Sequence, residues 1–198
     1  EVRLTSPGVN DLSWQLGGFF SHETQDVVST AGGVDSATGA PIAAVGSVGG
    51  AFGQIRFREI AAFANATYRF SEAFDVTVGI RYSENKQRFE TTARGVFGVG
   101  TQNSRSRDHA FTYLVSPRLR LDENTMIYAR VASGYRPGGP NAVPVGVPQS
   151  YGPDRVTNYE LGVKTDLLDR KLNIEVAGYV IDWKDIQIQR VGPLGGFI

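Results

Sequence analysis

The chain has 198 residues, in which 20 Lys and Arg side chains balance 20 Asp and Glu side chains. This balance gives no sign of a nucleic-acid-binding surface, and the lack of cysteine excludes disulfides and cysteine-ligated metals. The 24 glycines and the 11% aromatic content favour an all-β fold, because they supply turns and large rings. The first residues do not resemble a signal peptide, and the uncharged stretch 36–55 holds too many glycines for a membrane-spanning helix.

The chain begins with residues that we interpret as the tail of a strand, Val2 and Leu4, followed by a turn at 7–11. Apolar and small residues then alternate with polar ones from Leu12, which predicts a second strand running to about Val28. Residues 29–56 are rich in glycine, alanine and serine, and they predict a long loop.

A hairpin follows, with strands near 57–70 and 74–90 joined by a short polar turn at 71–73. Strict alternation defines the second strand, whose apolar positions are Phe74, Val76, Val78, Ile80 and Tyr82. The intervening positions, such as Asp75 and Arg81, are polar or glycine, so one face of each strand is apolar. Strands of about ten residues match the length needed to cross a bilayer obliquely.

The second half of the chain repeats this unit. We predict a loop at 91–109, a strand to about 121, a turn at 122–124, a strand at 125–136, a loop at 137–155, a strand at 156–167, a turn at 168–170, and a last strand from 171 to about 189. Pro117 falls on the apolar face of its strand and suggests a bulge or kink there. The prediction is eight strands, including the partial first one.

Short turns and long loops alternate along the predicted chain. An up-and-down antiparallel meander with tight turns at one end and long loops at the other is typical of outer-membrane β-barrels. Aromatic rings near the strand ends would form the interface girdles of such a barrel, namely Trp14, Phe19, Phe20, Tyr68, Phe70, Phe74, Tyr82, Phe89, Tyr179 and Trp183. The alternative is a soluble β-sandwich or lipocalin-like barrel with one buried face.

Three motifs follow one another in the second half of the chain: Ser-Gly-Tyr-Arg-Pro-Gly at 133–138, Asn-Tyr-Glu-Leu-Gly at 158–162, and Tyr-x-x-Asp-Trp at 179–183. In this order they resemble a TonB-dependent outer-membrane receptor. The start, Arg3 to Pro7, and the segment from Phe74 to Arg81 are similar to the family as well. The resemblance implies a location in the outer membrane of a Gram-negative bacterium.

Barrels of this plugged type have about 22 strands, so eight strands would be a middle segment of the barrel. The sequence holds no segment that resembles the plug domain or the TonB box, and residues 195–198 do not resemble a closing strand. We therefore expect an all-β, antiparallel meander of about eight long strands, with residues 1–198 forming part of a transmembrane β-barrel domain.

The resemblance also implies the function and the partners. Receptors of this family import a scarce large nutrient, most often a ferric siderophore and sometimes cobalamin, haem or a glycan. Energy comes from the inner-membrane TonB complex through the plug, and the barrel wall contacts outer-membrane lipid. The loops at 29–56, 91–109 and 137–155 would face the outside.

The ligand-binding candidates are Tyr135, Arg136 and Asn141, at the Gly-Tyr-Arg-Pro-Gly turn, together with Arg105 and Arg107 from the second loop. A guanidinium group suits an anionic chelate because it offers several donors in a fixed fork. The alternative for Tyr135 and Arg136 is structural: they would fix the exit of the loop by bonding neighbouring strands or the plug.

The predicted inner face carries four arginines with three possible carboxylate partners: Arg81, Arg118, Arg120 and Arg130, then Glu160, Glu175 and Asp166. We interpret them as residues of the barrel wall or as residues facing the plug, because barrel interiors are polar.

No catalytic motif is present. The sequence lacks a nucleophile elbow and a phosphate-binding loop, and His22-Glu23 lacks the second histidine of a zinc helix. We expect no enzyme activity, no metal site and no cofactor. Two other functions stay open: a self-contained eight-stranded barrel acting as an adhesin or structural anchor, and a soluble lipocalin-like carrier.

Overall fold

The computed structural model describes residues 1–8, 11–141 and 149–188. Within these ranges all regular secondary structure is β-strand. The strands are β1 (Val2–Thr5), β2 (Leu12–Gly32), β3 (Ser47–Arg69), β4 (Phe74–Gly95), β5 (Gly100–Arg120), β6 (Thr125–Arg136), β7 (Gly139–Pro140), β8 (Ser150–Tyr151), β9 (Asp154–Leu167) and β10 (Leu172–Lys184).

Eight of these strands form one sheet in the order β1-β2-β3-β4-β5-β6-β9-β10, and every neighbouring pair is antiparallel. The order follows the chain, so the predicted up-and-down meander is confirmed. The short strands β7 and β8 pair separately. A search of the described residues finds no helix with the length and apolar character that a membrane span requires.

The predicted loops are too long, because the strands continue further than the hydrophobic pattern. The first loop is 33–46 rather than 29–56, and the second is 96–99 rather than 91–109. The strict alternation of short and long connections is therefore wrong at 96–99. The last strand ends at Lys184, and Gln189 lies outside the described residues.

Glycine makes the tight connection after β4 possible. The register of β3 and β4 runs unbroken to Gly49 and Gly95, far beyond the apolar part of either strand. Gly95 has a φ of 68°, and a Cβ at this position would lie 2.1 Å from the carbonyl oxygen of Val48. Only glycine fits this backbone position.

The apolar faces of the strands combine into one exposed surface, which we call the outer face. Leu16, Ala64, Ile80 and Tyr113 oppose one another directly across β2, β3, β4 and β5, and Ile80 is 51% exposed. Only two apolar side chains of the described residues are buried, Ala61 and Ala110. The apolar side chains of the outer face are therefore exposed and do not pack into a dry core.

The molecule is a single layer. Its accessible surface is 13644 Å², whereas a compact globular protein of this mass would expose roughly 9,000 Å². A sheet that leaves its whole apolar face uncovered is stable only if that face meets a second, apolar solvent.

Aromatic rings bound the outer apolar band at both ends. At the tight-turn end, the ring centres of Tyr68 and Phe70 are 4.7 Å apart and those of Phe70 and Phe74 are 5.5 Å apart. At the other end, Tyr82 pairs with Phe111 in register. The eight steps from Phe74 to Tyr82 make about 27 Å along the strand, or roughly 21 Å of height at a tilt of about 40°, which approaches the apolar band of known barrels.

The register places four of the predicted girdle rings on the other face of the sheet, which we call the inner face: Phe19, Phe89, Tyr179 and Trp183. The guanidinium of Arg81 lies over the Phe19 ring, 5.2 Å from its centre. These rings therefore lie on the inner side of the sheet, where Tyr179 and Trp183 are exposed, instead of marking the membrane interface.

Pro117 does not cause the expected bulge. The register of β5 with β6 is the same on both sides of it, from Leu114 opposite Ala132 to Arg118 opposite Tyr128. Proline has no N–H to donate, so pairing is interrupted locally. The Ser116 hydroxyl donates instead to the carbonyl oxygen of Ala129, at 3.2 Å.

Candidate functional site

The long connection between β6 and β9 folds over the inner face of the sheet. We call its described residues, 137–141 and 149–153, the strap. The side-chain amide of Gln87 on β4 donates to the carbonyl oxygen of Gly138 at 2.5 Å. The hydroxyl of Ser104 on β5 donates to the carbonyl oxygen of Asn141 at 3.2 Å. The strap therefore covers the inner face at the end of the sheet that carries the longer connections.

Tyr135 anchors the beginning of the strap. The last pair between β5 and β6 is Leu114 with Ala132, after which β6 leaves β5. The Tyr135 hydroxyl then lies 2.7 Å from the Ser83 hydroxyl and 3.5 Å from the Asn85 amide nitrogen, both on β4. Ser83 is 1% exposed and Asn85 is 0% exposed. The contact ties β6 to a strand that is not its neighbour.

Arg136 forms an ion pair at the far end of the strap. Its guanidinium donates to the carboxylate of Asp154 at 2.5 Å, and Asp154 is 2% exposed. The side-chain amide of Gln187 lies within hydrogen-bonding distance of the carbonyl oxygens of Pro137 (3.1 Å) and Gly152 (3.0 Å). We call Arg136, Asp154 and Gln187 the latch, because together they hold both ends of the strap.

The latch stabilises the ionised carboxylate of Asp154, which lies beyond the apolar band. Burial acts to raise the pKa of Asp154, but the hydrogen bond from Arg136 and the backbone N–H of Gln187 act more strongly in the other direction. The net effect is a pKa below the ordinary value of 3.8. The latch is therefore closed at neutral pH.

Asn141 lies at the end of the first described part of the strap, and it is buried. Its backbone N–H donates to the carbonyl oxygen of Gln149 at 2.7 Å. Gly139 is also buried, and a Cβ there would lie 2.4 Å from the Tyr151 hydroxyl oxygen. Tyr135, Arg136 and Asn141 are therefore brought together by one folded segment.

Arg105 and Arg107 lie elsewhere. They are residues of β5, not of a loop, and the register places them on the outer face in line with Phe111 and Tyr113. The prediction that they lie in a loop is wrong, because the upper part of β5 is polar on both faces and lacks a hydrophobic period. The thickness of the sheet separates them from the strap.

Three of the four inner-face arginines form ion pairs with carboxylates that were not among the predicted partners. Asp75 accepts from Arg118 at 2.7 Å and pairs with Arg120 at 3.0 Å. Glu59 pairs with Arg81 at 2.7 Å. The expected partner Glu160 instead accepts from the Tyr128 hydroxyl at 2.7 Å, although Arg130 opposes it in register.

The other two expected carboxylate partners also have different contacts. Glu175 pairs with Lys164 at 2.6 Å, and Asp166 accepts from the side-chain amide of Asn173 at 2.7 Å. The inner wall is thus a polar network in which most charges are paired.

A recess of about 410 Å³ in this wall is lined partly by Arg3, Arg81 and Arg130. Glu1, which also lines the recess, pairs with Arg3, and Glu59 pairs with Arg81, so that among the described residues Arg130 is the guanidinium of this recess without an ion pair. An unpaired guanidinium group is suited to an anionic group.

The two histidines of the chain lie on two different strands. His22 is in β2 and pairs in register with Arg58, and His109 is in β5 opposite Glu84. Among the residues that the structure describes, no three His, Cys, Asp or Glu side chains form a group that could hold a metal ion.

Comparisons with known proteins agree with this geometry. A family model described as "TonB dependent receptor-like, beta-barrel" matches residues 3–197. The pesticin receptor of Yersinia enterocolitica is 26% identical over 138 residues, which are 69% of this chain and 20% of that receptor. The pesticin receptor of Yersinia pestis is 26% identical over 137 residues, 68% of this chain and 20% of that protein. The chain spans about a fifth of the length of these relatives.

Two solved structures share the fold. The ferric yersiniabactin uptake receptor FyuA from Yersinia pestis superposes with a TM-score of 0.79 at 21% identity, over 94% of this chain and 28% of that one. The closed form of the ferric-catecholate import receptor Fiu from E. coli K12 has a TM-score of 0.68 at 19% identity, over 98% of this chain and 32% of that one. In both cases the chain matches part of a larger structure.

Proposed function

Because the chain belongs to the family of TonB-dependent receptor β-barrels of the Gram-negative outer membrane, we propose that it forms part of the barrel wall of a receptor that imports a scarce large nutrient. In this proposal the nutrient is a ferric siderophore, and the inner-membrane TonB complex supplies energy through a plug domain. Cobalamin, haem and glycans are the other substrate classes of this import mechanism.

One observation carries the proposal: the sheet has an exposed apolar outer face and a polar inner face partly covered by a strap. The outer face fits lipid, and the inner face fits a water-filled interior that a hydrophilic cargo crosses. A soluble lipocalin-like carrier needs the opposite arrangement, with apolar residues packed inward. The exposed apolar residues of the outer face therefore disfavour that carrier.

The self-contained eight-stranded barrel is also disfavoured. A closed barrel requires the first and last strands to pair with each other. Among the described residues, β1 pairs only with β2 and β10 pairs only with β9. The sheet is open, as expected for a segment of a larger barrel wall.

A ferric siderophore is supported by the chemistry of the inner face and by the relatives. The recess lined by Arg3, Arg81 and Arg130 offers an anionic chelate the guanidinium group of Arg130, which forms no ion pair among the described residues. Two of the similar structures are named for the uptake of ferric yersiniabactin and ferric catecholates. We propose that Tyr135, Arg136 and Asn141 contribute to ligand binding by positioning the strap. Arg136 would also offer its exposed guanidinium surface directly to the ligand.

Competition binding on the full-length receptor tests this function. The receptor is expressed in cells that lack their own siderophore receptors, and radiolabelled ferric chelates compete with cobalamin, haem and oligosaccharides. We expect saturable binding of one ferric chelate and uptake that is lost when TonB is deleted. Competition by cobalamin, haem or a sugar alone would overturn the siderophore assignment, and uptake that is independent of TonB would overturn the transport mechanism.

A further inference from the structure

The upper half of β5 has a partner strand on one side only. β4 pairs with β5 without a register shift as far as Gly100. On the other side, β5 pairs with β6 only up to Leu114 opposite Ala132, where β6 leaves it. Among the described residues, no strand pairs with residues 101–111 on this side. We call the β6 side of residues 101–111 the open edge.

One hydrogen bond fixes which backbone groups point to the open edge. The backbone N–H of Tyr113 donates to the hydroxyl of Ser133 on β6 at 2.8 Å, so the N–H of Tyr113 points to the β6 side. Successive residues of a strand direct their N–H and C=O groups alternately to the two sides. Odd-numbered residues of β5 therefore offer their backbone groups to the open edge, and even-numbered residues bond β4.

Pro117 gives the same assignment. It has no N–H, yet it lies opposite Val76 within an unbroken register between β4 and β5. The backbone nitrogen of an odd-numbered residue points away from β4, so a proline at this position removes no hydrogen bond from that pair of strands.

The open edge lies beyond the apolar band and is accessible. Its six odd-numbered residues are all exposed, namely Thr101, Asn103, Arg105, Arg107, His109 and Phe111. Phe111 belongs to the aromatic pair that ends the band, so the edge extends from there for about 34 Å along the strand. The strap bonds Gln87 and Ser104 on the inner face, which leaves the outer-face side chains of the edge in solvent.

An open strand edge can take up a further strand. Unpaired N–H and C=O groups are a template for pairing with another chain. When an extended peptide adds to such an edge, main-chain hydrogen bonds supply affinity and alternate side chains supply specificity. The side chains that flank the open edge therefore indicate which partner fits it.

The outer-face side chains beside the open edge are basic. Arg105 and Arg107 lie on the edge strand, opposite Arg88 and Lys86 of β4. The Glu84 carboxylate lies 3.0 Å from both Arg107 and Lys86, so one anion serves two cations. No carboxylate of a described residue lies within 4.0 Å of the Arg105 guanidinium. A strand with carboxylates opposite these arginines would balance the charge.

Two occupants that this protein itself could supply lack that chemistry. The residues outside the described ranges, 9–10, 142–148 and 189–198, contain no Asp or Glu. A second copy would bring the arginine-rich edge beside itself, and like charges opposed on neighbouring strands destabilise a sheet. The charge therefore favours a different, acidic chain.

From these observations we propose that the open edge binds an extended acidic segment of a partner protein at the cell surface by β-strand addition. The segment pairs antiparallel with β5 and bonds the backbone groups of its odd-numbered residues. Acidic side chains at alternate positions of the segment face Arg105 and Arg107 on the outer face. The inference rests on the outer-membrane placement of the barrel and not on the identity of the imported nutrient.

Peptide binding to the purified full-length receptor in detergent tests this proposal. The probe is a capped, fluorescently labelled ten-residue peptide in which Glu and Thr alternate, and binding is followed by fluorescence anisotropy. Two further peptides have the same sequence but carry N-methyl groups, one on all Glu residues and the other on all Thr residues. We expect saturable binding of the unmodified peptide. No saturable binding would overturn the proposal, and the arginines would then only guard the edge against association.

The two methylated peptides distinguish strand addition from simple charge attraction. Opposed residues of an antiparallel pair share a face and direct their backbone groups to the same side of their strands or away from each other together. Glu residues on the outer face therefore point their N–H groups at β5, whereas the Thr N–H groups point to solvent. N-methylation of Glu should abolish binding, and N-methylation of Thr should leave it unchanged. The same affinity for both methylated peptides would overturn strand addition.

A matched pair of variants tests the position of the site. Arg105→Gln should bind the peptide about tenfold more weakly than wild type, because charge-assisted hydrogen bonds to its carboxylates are lost. Arg56→Gln is the control, since Arg56 lies in the same outer-face row but two strands away from the edge. It should bind as wild type does. Equal weakening in the two variants would mean a general cationic surface and would overturn the edge assignment.

Hydrogen exchange at single-residue resolution tests the other occupants. In the receptor alone, the odd-numbered amides of residues 101–111 should exchange fast and the even-numbered ones slowly, and the peptide should slow the odd-numbered ones. Slow exchange of the odd-numbered amides without peptide, at every receptor concentration, would mean that another segment of the receptor fills the edge. Protection that grows with receptor concentration would assign the edge to a second copy. Either result would overturn the proposal.

Discussion

Neighbouring residues of one strand meet different solvents, as Ile80 and Arg81 show. Ile80 is half-exposed in the middle of the apolar band, whereas Arg81 pairs with Glu59 on the inner face at 2.7 Å. The strand alternation predicted both orientations correctly. The partner of Arg81 required the register, because Glu59 lies on a different strand and 22 residues away.

A pair of substitutions tests these orientations. Ile80→Arg should reduce the free energy of unfolding of the membrane-inserted receptor by about 2–4 kcal/mol, because it places a charge near the bilayer midplane. Arg81→Ala should cost roughly 0.2–1 kcal/mol, the usual contribution of a partly exposed ion pair. Urea unfolding of the full-length receptor in lipid vesicles measures both. Equal destabilisation by the two substitutions would contradict the assignment of the faces.

At the level of the strands, the main finding is that β2 to β5 extend well past the membrane. Residues 91–95 and 100–109 belong to a paired hairpin, although their sequence predicts a loop. A strand shows a hydrophobic period only where one of its faces meets an apolar environment. In β4 and β5 above the band, the side chains of both faces are polar or small apart from Phe89, so the pattern disappears while the strand pairing continues.

The strap is the second element that sequence alone did not reveal. Its latch depends on the ionised carboxylate of Asp154, whose pKa lies below its ordinary value in the folded protein. Such a group contributes stability above its unfolded-state pKa, and this contribution is lost as the pH falls through the folded-state pKa. Strap closure is therefore insensitive to pH in the neutral range and weakens only in strong acid.

We expect hydrogen exchange in the strap of the full-length receptor to be slow at neutral pH. After correction for the intrinsic exchange rate, protection should fall only when the pH drops below about 3.8, the ordinary value for aspartate. Asp154→Asn should lose protection already at neutral pH, since the charged acceptor for Arg136 is gone. Asp169→Asn, in the turn between β9 and β10, is the control. Unchanged protection in Asp154→Asn would show that the latch does not hold the strap.

The whole chain is an open sheet with two free edges. The outer edges of β1 and β10 have no partner strand among the described residues, and an unpaired strand edge is a template for association. The large apolar face adds a second reason for association in water, because contiguous exposed apolar surface favours aggregation.

The 198-residue chain on its own should therefore aggregate in detergent-free buffer. Static light scattering after dilution from urea should report high-mass species, and limited proteolysis should show no protected core. The full-length receptor refolded into detergent is the control. A monodisperse, protease-resistant monomer of the isolated chain in water would show that the sheet closes on itself.

The sequence by itself determined the fold class, the family and the outward orientation of the apolar residues. Each of these depends on local alternation or on contiguous motifs, such as Ser-Gly-Tyr-Arg-Pro-Gly at 133–138. Only the tertiary structure decided where the strands end, which carboxylates pair with which arginines, and that Arg105 faces outward. These features depend on the register between strands and on the folding of the strap, and residues distant in sequence set both.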